Sequence, residues 1–367
     1  MVPLARRYLL SDRIRFAIAA GGVGFAVLLI VLILGLFRGI IDQIGQFPSA
    51  APSDLWVMQA GTPDPSHGAS ILPFSALERL EEVPGVAAAQ PLLARAMQVG
   101  SARFGFVLAV PEGPFQAKTI ESFGAGSSPE RGQVILSGVL AKDIGAGRGD
   151  AVLIGASRFE VADVSSSVVV GSFSGTAFVN ALDAAQLFGD PGAFSFALVF
   201  VSPGADLEEV AAAIEDRVPG TDALTPQEFA DVVRQEVEEG FLPIFAVFIG
   251  LAFVVGLAVI ALTIYTSTVE RTRDYGVLKA VGASPWQLLA VVVRQSVIIA
   301  LVGYALGAGL GVVSGKLIQD AVPQFTLDFR WQDFLLVLAA ALVMSAVATL
   351  VPVRRVAGID PAMVFRA

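Results

Sequence analysis

Few residues in the sequence have the types that metal binding or nucleophilic catalysis requires. The 367 residues include no cysteine and one histidine, His67. Without cysteine there is no disulfide framework, thiolate nucleophile or cysteine metal site, and a single histidine cannot build a multi-histidine cluster within one chain. His67 lies in a stretch rich in Gly, Pro and Ser, which is typical of a solvated loop. We therefore predict neither a catalytic residue nor a metal site.

A first glycine-rich string could be mistaken for a phosphate-binding loop. Gly145, Gly147 and Gly149 stand directly ahead of Asp150. A nucleotide fingerprint needs the order strand, glycines, helix, whereas the pattern here predicts helix, glycines, strand. We therefore interpret this string as a turn.

A second string approaches the P-loop of ATPases, GxxxxGK[ST]. Gly315 and Lys316 have the right order, but Leu317 replaces the hydroxyl residue and the preceding glycine, Gly311, has the wrong spacing. We therefore expect that this chain does not hydrolyse ATP by that route. The glycines of this region favour close helix packing instead; they are Gly303, Gly307, Gly309, Gly311 and Gly315.

The elements that position any functional residue must include membrane helices. Hydrophobic residues make up 55 % of the chain and charged residues 16 %, whereas soluble proteins carry about 25 % charged residues. The mean hydropathy is +0.72. A helix of about 20 apolar residues crosses a bilayer core of roughly 30 Å. Four stretches meet this requirement and are predicted to be transmembrane helices, at residues 16–40, 240–266, 291–315 and 333–353.

Lys and Arg near the helix ends predict the orientation, because cytoplasmic loops are enriched in these residues. Basic residues cluster before the first helix, between the second and third, and after the fourth. We therefore assign residues 1–15, 267–290 and 354–367 to the cytoplasm. Residues 41–239 and the short loop 316–332 are then external. Residues 47–239 contain 10 Lys and Arg and 25 Asp and Glu, a net charge of −15, within a total of −9.

The long external segment has the pattern of an α+β domain. Short helices predicted at residues 77–80 and 206–218 are each followed by a Pro-Gly pair and a strand-like stretch. Runs rich in Val and Ile predict strands between them, at residues 134–136, 151–154, 159–164 and 167–170. The predicted fold is thus four transmembrane helices, arranged as one plus three, with a large α+β extracytoplasmic domain between the first and second.

The loop between the second and third helices is the most informative segment. Glu270, Arg271, Arg273 and Asp274 are predicted to continue the second helix into water as a charged extension. After them, the apolar residues of a short helix form a stripe at helical spacing; they are Val277, Leu278 and Val281.

The end of that short helix and the start of the next one are also encoded locally. Gly282 is predicted to end the short helix. Ser284 has the position of an N-cap, Pro285 that of the first helical residue, and Gln287 that of its capping-box partner. This could be an ordinary basic connection between two spans. A short apolar helix beside charged residues, however, also suits docking into a groove on a cytoplasmic protein.

The C-terminal tail also has the pattern of a short apolar helical turn. Asp360 is predicted to cap a last helical turn that begins at Pro361. Met363 and Phe365 would then be contact residues for the same cytoplasmic partner.

Two of these segments carry a resemblance to a known family. ERTRDYGVLKAVGAS at residues 270–284 and IDPAMVFRA at residues 359–367 resemble the loop and tail signatures of MacB/FtsX-type ABC transporter permeases. Within this family, the segments RDYGVLKA and DPAMVFR most resemble those of the branch that contains the DevC and HrtB permeases. Residues 134–161 resemble the β-rich part of the family's external domain, and the order of helices matches the family plan.

The resemblance implies a partner that supplies the energy. Two permease copies, as a homodimer in the bacterial inner membrane, would bind two copies of a separate ATPase that holds ATP and Mg. The segment from Tyr275 to Val281, including Gly276 and Lys279, would be the coupling helix seated on that ATPase. Closure of the ATPase would move the external domains and expel a substrate by mechanotransmission. A periplasmic adaptor and membrane lipid are further implied partners, and the net charge excludes nucleic acid as the main one.

Two functions and an undefined substrate site stay open at this point. The chain is expected to be an exporter of a hydrophobic or amphipathic molecule, with haem as one option. The alternative is a signalling permease of the FtsX type that regulates an external enzyme without transport. Substrate contacts are placed where the second helix leaves the outer surface, at Glu236, Glu239, Phe241 and Phe245. A solvated acidic helix start and a lipid-facing aromatic surface are the alternative interpretations of these residues.

Overall fold

The computed structural model describes residues 13–62, 70–165, 175–189, 192–322, 325–350 and 352. Its helices, numbered in chain order, are α1 (Arg13–Ile44), α2 (Gln46–Ala50), α3 (Ser75–Glu81), α4 (Gln116–Ser122), α5 (Gly138–Ile144), α6 (Ala181–Phe188), α7 (Leu207–Arg217), α8 (Pro226–Glu270), α9 (Thr272–Ala280), α10 (Pro285–Ala321) and α11 (Trp331–Ala348).

The strands, numbered in the same way, are β1 (Leu55–Gln59), β2 (Leu72–Pro73), β3 (Val86–Val99), β4 (Ala102–Ala109), β5 (Gln133–Ser137), β6 (Ala151–Ile154), β7 (Ser157–Ser165), β8 (Thr176–Val179), β9 (Ala193–Phe194), β10 (Phe196–Val201) and β11 (Thr221–Leu224). The chain divides into two compact units. The membrane unit comprises the described parts of Met1–Arg38, Leu242–Ile318 and Leu327–Ala367, and the inserted unit comprises those of Gly39–Phe241 and Gln319–Thr326.

Three of the four membrane helices, α1, α8 and α10, are longer than the apolar stretches that predict them, whereas α11, with 18 residues, is shorter than the predicted 333–353. In the described part of the chain, the helices long and apolar enough to span a membrane are α1, α8, α10 and α11. α8 has 45 residues, a length of about 67 Å at 1.5 Å per residue, and it has residues in both units. Hydropathy predicts only the part of a helix that crosses lipid. The amphipathic turns at the ends of α1, α8 and α10 therefore fall in the segments predicted to flank the membrane helices.

Glycines allow α1 and α10 to pack closely in the membrane unit. A Cβ atom at Gly307 would lie 2.3 Å from the carbonyl oxygen of Gly24, and one at Gly303 would lie 2.7 Å from Val23. This is the small-residue packing that membrane helices use in place of a hydrophobic driving force, as the sequence predicts for these two positions. The prediction is wrong for Gly309, where a Cβ would meet nothing within 4 Å.

The segment that leads into α11 fills the gap between α1 and α10. The ring of Phe329 lies where a Cβ on either Gly35 or Gly315 would be, at 2.6 and 2.5 Å. Gly315 is therefore a packing residue, in agreement with its exclusion from a P-loop. Arg38 of α1 donates from Nε to both carboxylate oxygens of Asp333 in α11, at 2.9 and 2.7 Å.

Part of the inserted unit is a split βαβ sheet. Its strands lie in the order β11-β1-β10-β3, and every neighbouring pair is antiparallel. α3 packs on β3, α7 packs on β11, and the two helices contact each other. The Pro-Gly pairs after these helices supply left-handed turns, because φ is +92° at Gly85 and +86° at Gly220, a conformation that favours glycine.

The long strand β3 continues from this sheet into a closed six-stranded barrel. The strand order is β3-β4-β8-β5-β7-β6, and the pairing of Val99 with Ile154 closes the ring. Two of the pairings are parallel, β4 with β8 and β5 with β7. α5 packs against the barrel through Leu140, whose Cβ would lie 2.4 Å from a Cβ added at Gly175, so that position has no room for a side chain.

The structure confirms most of the predicted α+β elements. α3 contains the first predicted helix and α7 lies within the second, and Asp206 caps α7 by accepting from the backbone nitrogens of Glu208 and Glu209. β5, β6 and β7 contain three of the predicted strands. The string Gly145–Gly149 is a turn between α5 and β6. The strand predicted at 167–170 and His67 lie outside the described residues.

Candidate functional site

The candidate site is the bend that joins α8, α9 and α10. α8 ends at Glu270 and α9 begins at Thr272, so the predicted continuous extension through Asp274 is wrong. Arg271 breaks the helix, with φ −99° and ψ +17°. Threonine hydroxyls near the break bond back to the helix: Thr268 donates to the carbonyl of Ile264 at 2.7 Å and Thr272 to that of Val269 at 2.7 Å. Such bonds weaken and bend helices.

The C-terminus of α9 is a Schellman motif. Gly282 has φ +100° and donates its N–H to the carbonyl of Lys279 at 3.1 Å, while Ala283 donates to that of Leu278 at 2.9 Å. These two bonds satisfy carbonyls that the helix end leaves unpaired. The predicted end at Gly282 is confirmed, and the positive φ explains why glycine is required there.

α10 begins with the predicted capping box. Ser284 accepts from the backbone nitrogen of Gln287 at 3.3 Å, and the side-chain oxygen of Gln287 accepts from the backbone nitrogen of Ser284 at 3.0 Å. Pro285 is the first residue of the helix. The Schellman motif and the capping box stand two residues apart, so hydrogen bonds fix the turn between α9 and α10 on both sides.

Burial divides α9 into an inner and an outer side. Tyr275 is buried, and it packs with Leu278 and with Leu288 of α10 in the hydrophobic core of the membrane unit. Gly276 is also buried. Leu278, a member of the predicted apolar stripe, is half-buried because it packs against this core.

The outer side presents an apolar surface that we call the docking patch. It consists of Val277, Val281 and Trp286, whose exposed fractions are 46 %, 83 % and 77 %. Sequence reasoning missed Trp286 as a contact residue, although its place two residues after the capping Ser284 puts it in the first turn of α10. Contiguous exposed apolar side chains with polar neighbours are typical of interaction sites.

The charged residues of the bend have separate environments. Arg273 and Asp274 are exposed, whereas Arg271 and Lys279 are half-buried. Glu270, predicted as part of the docking surface, forms an ion pair with Arg15 of α1. Sequence reasoning missed this partner, because 255 positions separate the two residues and no local signal connects them.

The predicted substrate residues all lie on α8. Glu236 and Glu239 are exposed on α8, and Glu239 accepts from Nε2 of Gln235 at 2.9 Å. Phe241 belongs to the inserted unit and is half-buried. Phe245 belongs to the membrane unit, where its ring contacts that of Phe37 edge-on at 5.3 Å.

No group of three acidic or histidine side chains suited to a metal occurs among the described residues. Met363 and Phe365 of the tail lie outside the described part of the chain.

Four apolar spans with a large α+β domain between the first and second define the class: a multi-pass membrane protein. Two family models match the chain. The MacB-like periplasmic core domain matches residues 16–217, and the FtsX-like permease C-terminal model matches residues 246–361. The chain therefore belongs to the MacB/FtsX-type family of ABC transporter permeases.

Individual relatives agree with this membership. The uncharacterized ABC transporter permease Rv0072 of Mycobacterium tuberculosis is 27 % identical over 96 % of this chain and 95 % of its own length. The uncharacterized ABC transporter permease MJ1507 of Methanocaldococcus jannaschii is 25 % identical over 59 % of this chain, which spans 57 % of that relative.

Among solved structures, the periplasmic region of MacB from Actinobacillus actinomycetemcomitans has a TM-score of 0.35 and 10 % identity, covering 52 % of this chain and 95 % of that chain.

Proposed function

We propose that this chain is the permease subunit of an ABC exporter that a separate ATPase drives from the cytoplasm. The docking patch is the observation that carries the proposal. Its three apolar side chains stand on a turn that two capping motifs hold in place, so the surface is presented to a partner at little further entropic cost. Membership of an ABC permease family supports an ATPase as that partner.

The arrangement of α9 supports transmission of a movement. The inner side of α9, with Tyr275 and Leu278, is part of the core of the membrane unit. A partner that displaces the docking patch therefore displaces core side chains of the membrane unit at the same time. α8 reaches the bend as one helix from Pro226, with Pro243 inside it.

A charge placed in the docking patch tests the proposal. In Val281→Asp, we expect the membrane unit to fold normally, because the side chain is exposed. The amount of P-loop ATPase that co-purifies from native membranes in mild detergent should fall about tenfold or more, since burying a valine stabilises a complex by about 1.5–3 kcal/mol. Leu182→Asp is the matched control, because Leu182 is an exposed apolar residue of the inserted unit.

The outcome of this experiment is unambiguous in both directions. Equal ATPase recovery with wild type, Val281→Asp and Leu182→Asp would contradict docking through this patch. Failure to recover any ATPase with the wild-type chain would contradict the proposed function itself. Leu278→Asp is a different kind of variant, because it places a carboxylate against the hydrophobic core, and it should reduce the yield of folded protein.

The substrate we propose is hydrophobic or amphipathic. α8 exposes a run of large apolar side chains near its middle, including Leu242, Ile244, Val247 and Phe248, and lipid or a second copy of the chain would cover these in a homodimer. Haem is one candidate of this class. Titration with haem, followed by its Soret absorbance in wild type and Glu239→Ala, tests it: identical spectra would exclude Glu239 as a ligand.

The second candidate, left open by the sequence, is a permease of the FtsX type that signals to an external enzyme. Transport in proteoliposomes distinguishes the two. An exporter moves substrate when ATPase and ATP are supplied, whereas a signalling permease activates a hydrolase without such movement.

A further inference from the structure

The first and second membrane helices pack antiparallel along most of the bilayer. α1 and α8 meet at Gly22 and Val259, where an added Cβ would lie 2.7 Å from the valine side chain, and at Ala26 and Gly256, where the corresponding distance is 3.0 Å. Towards the far end of α1, Phe37 contacts Phe245. These contacts join small or apolar groups.

An ion pair stands at the opposite end of this helix pair. Arg15 of α1 donates to Glu270 of α8 through both terminal nitrogens, Nη1 to Oε2 and Nη2 to Oε1, the latter at 3.2 Å. From Arg15 to Phe37 the contacts cover 22 residues of α1, or about 33 Å. The ion pair thus lies at the end of these α1–α8 contacts that is nearest the bend.

The chemistry of the two kinds of contact differs in one respect. Apolar contacts are non-directional: Gly22 and Gly256 let α1 and α8 approach closely, but such contacts do not orient a polar group. A two-point arginine–carboxylate pair has a fixed geometry. Because the two side chains are 35 % and 58 % exposed, the pair adds little stability, but its geometry distinguishes one axial register from others.

We propose that the ion pair of Arg15 and Glu270, which we call the register pin, fixes the axial position of α1 against α8. It makes the two helices move as one body when α9 is displaced. Glu270 is the last residue of α8, and Arg271 separates it from α9. α1 and α8 are also the two helices that precede and follow the inserted unit in the chain. The pin would therefore deliver one movement to both flanks of that unit. The register itself is a property of this chain alone; its role in coupling rests on the proposed function.

The axial register of α1 against α8 can be measured in the absence of the ATPase. Because the chain contains no cysteine, Ile18→Cys on α1 and Val269→Cys on α8, both exposed, can carry spin labels in liposomes diluted with unlabelled chain. We expect a narrow distance distribution in the wild-type background. Arg15→Glu should broaden it, and Arg15→Glu combined with Glu270→Arg should narrow it again. Arg13→Glu, the same charge change at an exposed neighbour, should leave it narrow.

A second measurement follows the role in coupling. Arg15→Glu and Glu270→Arg should keep the co-purifying ATPase but reduce its stimulation by the permease about two- to fivefold, the range for an exposed ion pair. The reciprocal variant should restore the stimulation.

An unchanged distance distribution in Arg15→Glu would overturn the pin, and so would a broadening that the reciprocal variant does not reverse. A restored distance without restored stimulation would overturn its role in coupling. If the wild-type chain bound no ATPase, the proposed function would be overturned. The spin-label distances would then still decide whether Arg15 and Glu270 fix the register of α1 and α8.

Discussion

At the scale of single residues, small side chains decide how closely the membrane helices approach. Gly307 of α10 and Gly24 of α1 bring two backbones into contact, and the added Cβ at Gly307 would fall 2.3 Å from a carbonyl oxygen. A backbone atom cannot move aside as a flexible side chain can. The two helices would have to separate along their whole contact, which loses packing at several positions.

Gly307→Ala should therefore destabilise the membrane unit. We expect a cost of about 1–3 kcal/mol, the usual range for an overpacked site, seen as a lower unfolding temperature in detergent. Gly309→Ala is the control, because a Cβ there meets nothing within 4 Å and alanine is the better helix former. Equal unfolding temperatures for the two variants would refute this account of the α1–α10 contact.

At the scale of secondary-structure elements, the bend shows how much a local pattern can predict. Ser284, Gln287 and Gly282 each act through neighbours within four residues, so their roles could be predicted from spacing alone. The side of α9 that faces outward could not be predicted. Leu278 packs against the core that includes Tyr275 and Leu288. Which side of α9 this core covers depends on the direction in which α10 leaves the turn, and no local pattern gives that direction.

The same contrast applies to longer-range contacts. Helix–Pro-Gly–strand units were predictable because the turn chemistry is local. The closure of the barrel through Val99 and Ile154, and the pairing of Arg15 with Glu270, join residues far apart in sequence, and no periodicity specifies such partners. The branch within the family, and the coupling roles of the bend residues, stay predictions.

The capping box makes a testable contribution to the rigidity of the bend. Ser284→Ala removes the acceptor for the Gln287 backbone nitrogen, and loss of an N-cap costs about 1 kcal/mol, so amide exchange in the first turn of α10 should become about fivefold faster. Ser284→Asp keeps an acceptor and should preserve the slow exchange. Identical exchange in Ser284→Ala and wild type would show that the cap does not hold this turn.

At the scale of the whole molecule, the chain combines two units with different tasks. The inserted unit has its own core, formed by a split βαβ sheet and a closed barrel. The membrane unit has a separate core that includes the inner side of α9. The family places this chain with ABC transporter permeases. The proposed function therefore requires the bend between α8 and α10 to receive a partner in the cytoplasm.

The location of that bend can be measured directly. Val281→Cys supplies one reactive thiol at the most exposed position of the docking patch, in a chain with no other cysteine. Leu153→Cys in β6, which is also exposed, is the control on the inserted unit. A membrane-impermeant maleimide should label Val281→Cys only in inside-out vesicles and Leu153→Cys only in intact spheroplasts. Labelling of Val281→Cys in intact spheroplasts would contradict a cytoplasmic location of the bend.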